Sequence, residues 1–184
     1  MRNINYAKLN ERSFDFLAER YARREEKLEG NLVENFSEYL IDNFVDPSIL
    51  EIGCGSGFML RSFSKRDFNT KAIDISSEII RNAKIVLPTT DFINSDFLRH
   101  NFGNEKFSGV FANSVLHLFP KDKIRGVFDK VYSILNKGGC FYFSIPLFNG
   151  SREELVSRGE SKDYIQEFRV RYIEKDFTKF LDSC

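Results

Sequence analysis

The spacing of apolar residues along the chain changes after about residue 46. Before that point, apolar side chains recur at helical spacing over about residues 10–42. Gly30-Asn31 predicts a break between two helices. Asp46-Pro47 ends the region, because the residue before a proline disfavours the helical conformation. The pattern therefore predicts an N-terminal helical cap over residues 1–46.

From residue 47 onward, short apolar runs alternate with amphipathic segments. This alternation predicts βαβ units, whose right-handed crossovers give a doubly wound, mostly parallel sheet with helices on both faces. Residues 47–184 are predicted to form one structural unit. The predicted strands cover 48–52, 70–75, 90–96, 107–114 and 139–146, and the predicted helices cover 58–65, 77–87 and 121–136.

The tail after residue 150 has a mixed pattern. SREELVSR (151–158) and EKDFTKFLDS (174–183) predict helices. YIQEFRVRY (164–172) fits a helix or a strand. Alternating Phe168, Val170 and Tyr172 would face a core if this segment runs as a strand, folded back toward the edge of the fifth strand.

Three of the 11 glycines of the chain lie within five residues, at Gly53, Gly55 and Gly57. They directly follow the first predicted strand and precede a predicted helix. A tight turn without a ligand needs only one glycine. Three at alternate positions indicate a backbone that approaches a ligand closely and uses positive φ angles.

The spacing G-x-G-x-G, with Glu51 two positions before the first glycine, differs from the dinucleotide fingerprint G-x-G-x-x-G. A nicotinamide-dependent oxidoreductase would need the third glycine at position 58, which is Phe. The stretch LEIGCGSG instead resembles the first motif of class I S-adenosylmethionine-dependent methyltransferases. This resemblance extends from about Phe14 to Leu181. It implies a Rossmann-like fold, S-adenosyl-L-methionine as methyl donor and S-adenosyl-L-homocysteine as product.

The resemblance also assigns roles along the chain. Asp74 ends the second strand and would accept hydrogen bonds from two ribose hydroxyls, Asp96 would accept from the adenine amino group, and Phe97 would pack on the adenine ring. The segment around Asn113 would meet the methionine portion. The predicted cofactor-binding residues are Glu51, Gly53, Cys54, Gly55, Gly57, Asp74, Ile75, Asp96, Phe97, Asn113 and Tyr21.

Several of these residues have a purely structural alternative. Asp74 could be a turn or N-cap aspartate, Asp96 a loop aspartate and Tyr21 a core tyrosine rather than a lid contact. His117 is a candidate general base near the predicted site, with a packing role as its alternative. Methyl transfer from a sulfonium requires no metal and no covalent intermediate, and none is expected. Cys54 reads as a small residue in the glycine turn.

Charge and composition indicate which classes of binding partner the chain favours. Lys plus Arg and Asp plus Glu both number 27, so no overall field favours nucleic acid. No apolar run reaches the length of a signal peptide or a membrane span. The three cysteines, Cys54, Cys140 and Cys184, have neither metal-ligand nor disulfide spacing. We expect a cytoplasmic protein with a small-molecule substrate and no membrane partner.

One expected feature is missing from the sequence. Methyltransferases of this class add a reversed strand hairpin after the fifth strand, preceded by a helix that EKDFTKFLDSC resembles, and the sequence stops there. We therefore expect no C-terminal hairpin and an open edge at the fifth strand. Such an edge predicts a homodimer. It also raises an alternative function, a non-catalytic or partner-dependent S-adenosylmethionine-binding protein.

Overall fold

Strands and helices alternate along the chain in the computed structural model, which describes residues 4–23, 32–160 and 163–181. The predicted Gly30-Asn31 break lies outside these residues. The elements are α1 (Tyr6–Ala22), α2 (Leu32–Asn43), β1 (Ser48–Ile52), α3 (Phe58–Ser64), β2 (Asn69–Asp74), α4 (Ser77–Val86), β3 (Asp91–Asn94), β4 (Phe107–Asn113), a short 3₁₀ helix (Leu116–Leu118), α5 (Ile124–Ile134), β5 (Leu135–Ser144), β6 (Arg152–Glu160), β7 (Asp163–Arg171) and α6 (Glu174–Leu181).

The first five strands form a parallel sheet in the order β3-β2-β1-β4-β5. The predicted strand positions are confirmed, although β5 begins at Leu135 rather than at 139. The order reverses between β1 and β4, so a crevice opens at their carboxyl ends. This topology confirms the doubly wound, Rossmann-like prediction.

Helices cover both faces of the sheet, as predicted. Leu40 of α2 and Phe63 of α3 pack against Phe111 on one face, and Val127 and Val131 of α5 pack on the other. The α2 helix lies so close to β4 that a Cβ at Gly109 would stand 2.8 Å from Leu40 Cδ1. The sheet is thus shielded from water, as parallel sheets require. Every helix in the described ranges is too short or too polar to cross a membrane.

The prediction of a helix over residues 151–158 is wrong, because this segment forms β6. Nine residues of β6 pair in antiparallel register with β7, from Arg152 opposite Arg171 to Glu160 opposite Asp163. Glu154 is stabilised in the strand by ion pairs with Arg152, Arg169 and Arg171. These long-range pairs override the local helix preference of a Glu-rich segment.

The β6–β7 hairpin was not predicted, and it differs from the C-terminal hairpin expected to be missing: it precedes α6, whereas the expected one would follow that helix. The strand reading of 164–172 is confirmed, but β7 pairs with β6 and not with the fifth strand. Together β6 and β7 form a separate two-stranded sheet before α6. The segment after β5 meets the end of the hairpin through the Leu147–Tyr172 bridge, a 2.8 Å bond from the Phe148 amide to the Tyr172 carbonyl, and the Arg171 guanidinium 4.9 Å from the centre of the Phe148 ring. β5 remains the edge of the five-stranded sheet.

A single buried side chain joins α1 to two other parts of the fold. Asn10 Nδ2 donates to the Leu118 carbonyl oxygen at 3.1 Å, and Asn10 Oδ1 accepts from the Phe168 amide at 2.9 Å. The amide of Asn10 therefore connects α1, the 3₁₀ helix and β7. Both backbone groups depend on it, because buried polar groups without partners are costly.

We predict that Asn10→Ala lowers the free energy of unfolding by about 2–4 kcal/mol, since it leaves a buried amide and a buried carbonyl without partners. Urea denaturation measures the loss. Asn43→Ala is the matched control, because its Nδ2 bonds the Tyr39 carbonyl on an exposed helix end. We expect that control to change stability by less than about 0.5 kcal/mol. A loss below about 1 kcal/mol for Asn10→Ala would contradict the role of Asn10 as a connector.

Candidate functional site

A cavity of about 450 Å³ lies at the carboxyl ends of β1, β2 and β4, between the parallel sheet, α1 and the β6–β7 hairpin. Its size is typical of small-molecule sites, which span about 300–1,000 Å³. The cavity brings together all of the predicted cofactor-binding residues except Gly57. Those that line it are Glu51, Gly53, Cys54, Gly55, Asp74, Ile75, Asp96, Phe97, Asn113 and Tyr21, together with His117.

The glycine turn takes the left-handed conformation at all three positions, with φ of +75° at Gly53, +49° at Gly55 and +76° at Gly57. The Gly53 amide donates to the Ile73 carbonyl at 2.9 Å, which ties the turn to β2. A Cβ at Gly53 would stand 2.7 Å from Val115 Cγ2. Gly57 instead begins α3, and a Cβ there would stand 2.9 Å from Leu87 Cδ1. The requirement for glycine at 57 is thus steric and conformational.

Asp74 is a turn aspartate and a cavity residue at once. Its Oδ1 accepts from the Ser76 amide at 2.9 Å, and the Cys54 thiol lies 3.8 Å from its Oδ2. Burial raises the pKa of Asp74 to about 6, against the lowering effect of hydrogen bonds from the Ser76, Cys54 and Gly55 amides. The carboxyl group is therefore held ready to accept hydrogen bonds at a site that desolvates it.

Cys54 is buried in the turn and unsuited to nucleophilic chemistry. Burial, and then the neighbouring charges of Asp74 and Glu51, raise the pKa of the thiol well above its usual value. The thiolate is the reactive form, so this cysteine stays protonated. No group of three or more His, Cys, Asp or Glu residues in the described part of the chain is arranged to hold a metal ion.

Asp96 and Phe97 follow β3 side by side in the cavity wall. Asp96 Oδ1 accepts from the Leu98 amide at 2.9 Å and so fixes the local turn. Phe97 is buried, and Lys130 Nζ lies 5.3 Å from the centre of its ring. An adenine that enters here would meet a carboxylate acceptor and an apolar ring together.

The remaining predicted residues lie on three different elements. Ser144 Oγ donates to Asn113 Oδ1 at 2.5 Å, which fixes the amide at the end of β4. The Ile75 carbonyl accepts from Asn94 Nδ2 at 3.0 Å. Tyr21 of α1 packs edge-on against Phe14, with ring centres 5.5 Å apart. Tyr21 is thus both a packing residue and part of the cavity wall.

His117 lies in the 3₁₀ helix, half-buried against the hairpin. Burial, followed by the positive charges of Arg169 and Arg158, lowers the pKa of His117 to about 4. The imidazole is therefore neutral at neutral pH. Its Nδ1 is buried and has no hydrogen-bond partner among the described residues.

The α1 helix is anchored over the cavity beside Asp74. Ser76 Oγ donates to Asp15 Oδ1 at 2.7 Å, and the Glu78 amide donates to the same oxygen at 3.2 Å. Ser76 also caps α4 by accepting from the Ile79 amide. Asp15 was not singled out from the sequence, because nothing in α1 alone indicates that it meets the start of α4.

Sequence reasoning also missed the part of the cavity that the hairpin supplies. Arg158 of β6 and Glu167 of β7 line the cavity and form a bidentate ion pair, Nε to Oε2 at 3.1 Å and Nη2 to Oε1 at 2.8 Å. The side chain of Glu167 is 1% exposed, and that of Arg158 is 37% exposed. Ser13 Oγ of α1 donates to Glu167 at 3.4 Å.

Comparison with known proteins gives a consistent result. Residues 49–139 match the model of a family described as a methyltransferase domain. The malonyl-[acyl-carrier protein] O-methyltransferase 1 of Ilyobacter polytropus is 32% identical over 129 residues, which are 66% of this chain and 47% of that protein. The cycloartenol-C-24-methyltransferase 1 of Oryza sativa is 31% identical over 101 residues, 50% of this chain and 28% of that protein. The chain thus spans less than half of the length of either relative.

Solved structures agree on the fold. The DhpI–SAH complex superposes with a TM-score of 0.73 at 17% identity, over 97% of this chain and 86% of that one. An S-adenosylmethionine-dependent methyltransferase from Clostridium acetobutylicum superposes with a TM-score of 0.61 at 20% identity, over 92% and 83%. Residues 49–139 are thus a methyltransferase domain, and the chain has the Rossmann-like fold of S-adenosylmethionine-dependent methyltransferases.

Proposed function

We propose that this chain transfers the methyl group of S-adenosyl-L-methionine to a small-molecule acceptor. One observation carries the proposal: the glycine turn, Asp74 and Asp96 come from three strand ends and converge on a single cavity. Three elements far apart in sequence would not meet around one cavity in a protein that needs only tight turns.

The residues present fit the cofactor. Asp74 would accept from the ribose hydroxyls, and Asp96 with Phe97 would hold the adenine. Glu51, buried at the end of β1, and Asn113 would meet the methionine end, where carboxylate and amide oxygens suit an ammonium group. When bound, S-adenosylmethionine supplies an activated methyl group. The glycine turn leaves room for the cofactor where side chains would fill the space.

The chain's own contribution to the chemistry is alignment and exclusion of water. The nucleophile must lie in line with the methyl–sulfur bond, and α1 with the hairpin encloses the space where this happens. With S-adenosylmethionine bound, the acceptor atom would take the methyl group, the electron pair of the methyl–sulfur bond would stay on sulfur, and the acceptor would lose a proton. His117 lines the cavity and is our candidate to accept that proton, but its pKa of about 4 makes the imidazole a weak base, so it would contribute little to the rate.

The names of the relatives do not identify the acceptor of this chain. One of them acts on malonyl-[acyl-carrier protein] and another on cycloartenol, so kinship does not choose between charged and neutral acceptors. A cavity of about 450 Å³ supports a small molecule. The non-catalytic alternative is not favoured, because the domain match and the named relatives are methyltransferases.

Two further parts of the proposal concern the whole protein. We propose a cytoplasmic location, supported by Cys54 and Cys140, which are both free thiols. We also propose that a second copy covers the exposed edge of β5, since that strand has a partner on one side only in the parallel sheet. Balanced charge supports the absence of a nucleic-acid partner.

We predict that S-adenosylmethionine and S-adenosylhomocysteine raise the melting temperature, because a ligand that binds only the native state stabilises it. At a concentration of about 100 times Kd the shift should be about 5–10 °C for a chain of this size. Differential scanning fluorimetry measures it, with NAD as the control ligand. No shift at millimolar cofactor, or a larger shift with NAD, would contradict the proposed function.

We predict that Asp74→Ala weakens cofactor binding by about 2–4 kcal/mol, because it removes an acceptor of two hydroxyl hydrogen bonds. The apo fold should survive, since Asp74 ends a strand and lies outside the apolar clusters. Isothermal titration calorimetry measures the affinity. Asp91→Ala is the matched control, because Asp91 begins the neighbouring strand β3 and its exposed carboxylate pairs with Lys71 at the opposite end of the sheet. Equal affinities for the two folded variants would remove Asp74 from the site.

Cofactor affinity should depend on pH through Asp74. Its pKa is raised to about 6 in the free protein, whereas hydroxyl donors favour the carboxylate, so binding below that pH requires loss of a proton. Affinity should be constant near pH 7 and fall below pH 6, approaching about tenfold per pH unit. Titrations between about pH 5 and 7 test this against Asp74→Asn, which should lack the dependence. The same slope in both proteins would assign the titration to another group.

A further inference from the structure

The two sides of the cavity differ in their charged groups: the sheet side carries carboxyl groups, and the hairpin side carries Arg158 paired with Glu167. The sheet side holds three carboxyl groups, Glu51, Asp74 and Asp96, at successive strand ends. The hairpin side holds Arg158, the arginine among the described residues that line the cavity. Carboxylates suit the sulfonium and ammonium charges of the proposed cofactor. The arginine comes from β6, whereas the three carboxyl groups come from the parallel sheet and the segment after β3.

Glu167 fixes Arg158 but does not use up its donors. A guanidinium has five N–H groups, and the bidentate pair engages Nε and one hydrogen of Nη2. Nη1 makes no hydrogen bond to any described residue. Glu167 accepts a hydrogen bond from Ser13, and its side chain is 1% exposed, so its position is fixed. It in turn fixes the guanidinium of Arg158, which stays 37% exposed.

His117 lies close enough to Arg169 and Arg158 for their positive charges to lower the pKa of its imidazole. Arg169 and Arg158 both oppose protonation of the imidazole, in addition to the effect of burial. Arg169 already pairs with Glu154, and its charge still acts at His117. An anionic group that hydrogen-bonds the free edge of Arg158 would meet its positive charge beside a neutral imidazole, since Arg158 and His117 line the same cavity.

We propose that the acceptor carries an oxyanion, either a carboxylate or a phosphoryl group, which the free edge of Arg158 binds while Glu167 orients the guanidinium. This inference rests on the proposed methyl transfer and names the class of its substrate. Arginine suits the task, because its planar donors match oxyanions in pairs.

Stability alone gives a weak reason for the pair. Burying two charges costs about as much as their attraction returns, so a buried ion pair adds little net stability compared with apolar side chains. An oriented arginine with unused N–H groups in a cavity wall can instead stabilise a bound ligand that accepts those hydrogen bonds. The cross-strand position of the pair would then place the acceptor against the hairpin.

The test separates acceptors by charge before the reaction. A deproteinised small-molecule extract of bacterial cells is passed over an anion exchanger at neutral pH, and the adsorbed and unadsorbed fractions are the two probes. Each is incubated with the full chain and S-adenosylmethionine labelled in its methyl group. We expect label transfer from the adsorbed fraction. Pretreatment of that fraction with alkaline phosphatase abolishes transfer to a phosphomonoester and spares transfer to a carboxylate or phosphonate.

The variant Arg158→Gln/Glu167→Gln keeps a hydrogen-bonded cross-strand pair without charge, and so avoids stranding a buried carboxylate. At limiting acceptor its initial rate should fall by about 10- to 100-fold, the effect of losing a charged hydrogen bond. Its thermal shift with S-adenosylhomocysteine should match that of the unmodified chain. Arg152→Gln is the control, because Arg152 pairs with Glu154 on the same hairpin and does not line the cavity. Its rate should stay within about twofold.

The outcomes are distinguishable. Loss of the cofactor thermal shift in the unmodified chain overturns the proposed function and the inference with it. An intact shift without transfer from the adsorbed fraction overturns the inference alone. Transfer that the double variant retains at full rate also overturns it, because the oxyanion then binds elsewhere.

Discussion

The site depends on a turn that only a backbone without side chains can make. The residue after β1 must reverse direction at positive φ while its amide still bonds to Ile73 of the neighbouring strand. A Cβ at Gly53 would collide with Val115, at the segment after β4. The close approach of Gly53 to Val115, together with its bond to Ile73, holds the ends of β1, β2 and β4 near one another around the cavity. Asp74 and Asn113 occupy those ends, so their placement follows from the turn.

The parallel sheet could be read from the sequence because its signals are local. β1 and β4 are continuous apolar runs bounded by turns, and α5 carries a single apolar stripe. β6 could not be read in this way. Arg152, Glu153 and Glu154 favour a helix locally, and their strand conformation comes from pairing with residues as far away as Arg171. Charge neutralisation of Glu154 by arginines 15 and 17 residues ahead has no local signature.

The same division runs through the site. Asp74 and Asp96, which we propose for the cofactor, could be predicted to line the cavity because they lie at or just after the ends of strands. The acceptor side is built by contacts across more than 100 residues, such as Asn10 with Phe168. In the sequence, Arg158 and Glu167 are two of many charged residues in a polar tail. Only the pairing of β6 with β7 places both side chains in the cavity wall. His117 was noticed for its chemistry, whereas its neutrality results from arginines that only the fold places nearby.

Among the described residues, the strand ladder of the hairpin runs only between β6 and β7, and few hydrogen bonds join it to the rest of the fold: the Phe168 amide to Asn10, Ser13 to Glu167 and the Lys121 amide to Glu153. The parallel sheet therefore owes none of its ladder to β6 or β7. Changes to side chains between Arg152 and Arg171 would leave the parallel sheet intact, provided that Phe168 and Val170 still pack in the core and the Phe168 amide still reaches Asn10. Substitutions in the β6–β7 hairpin could therefore change which acceptor binds, while the glycine turn and the parallel sheet keep their structure.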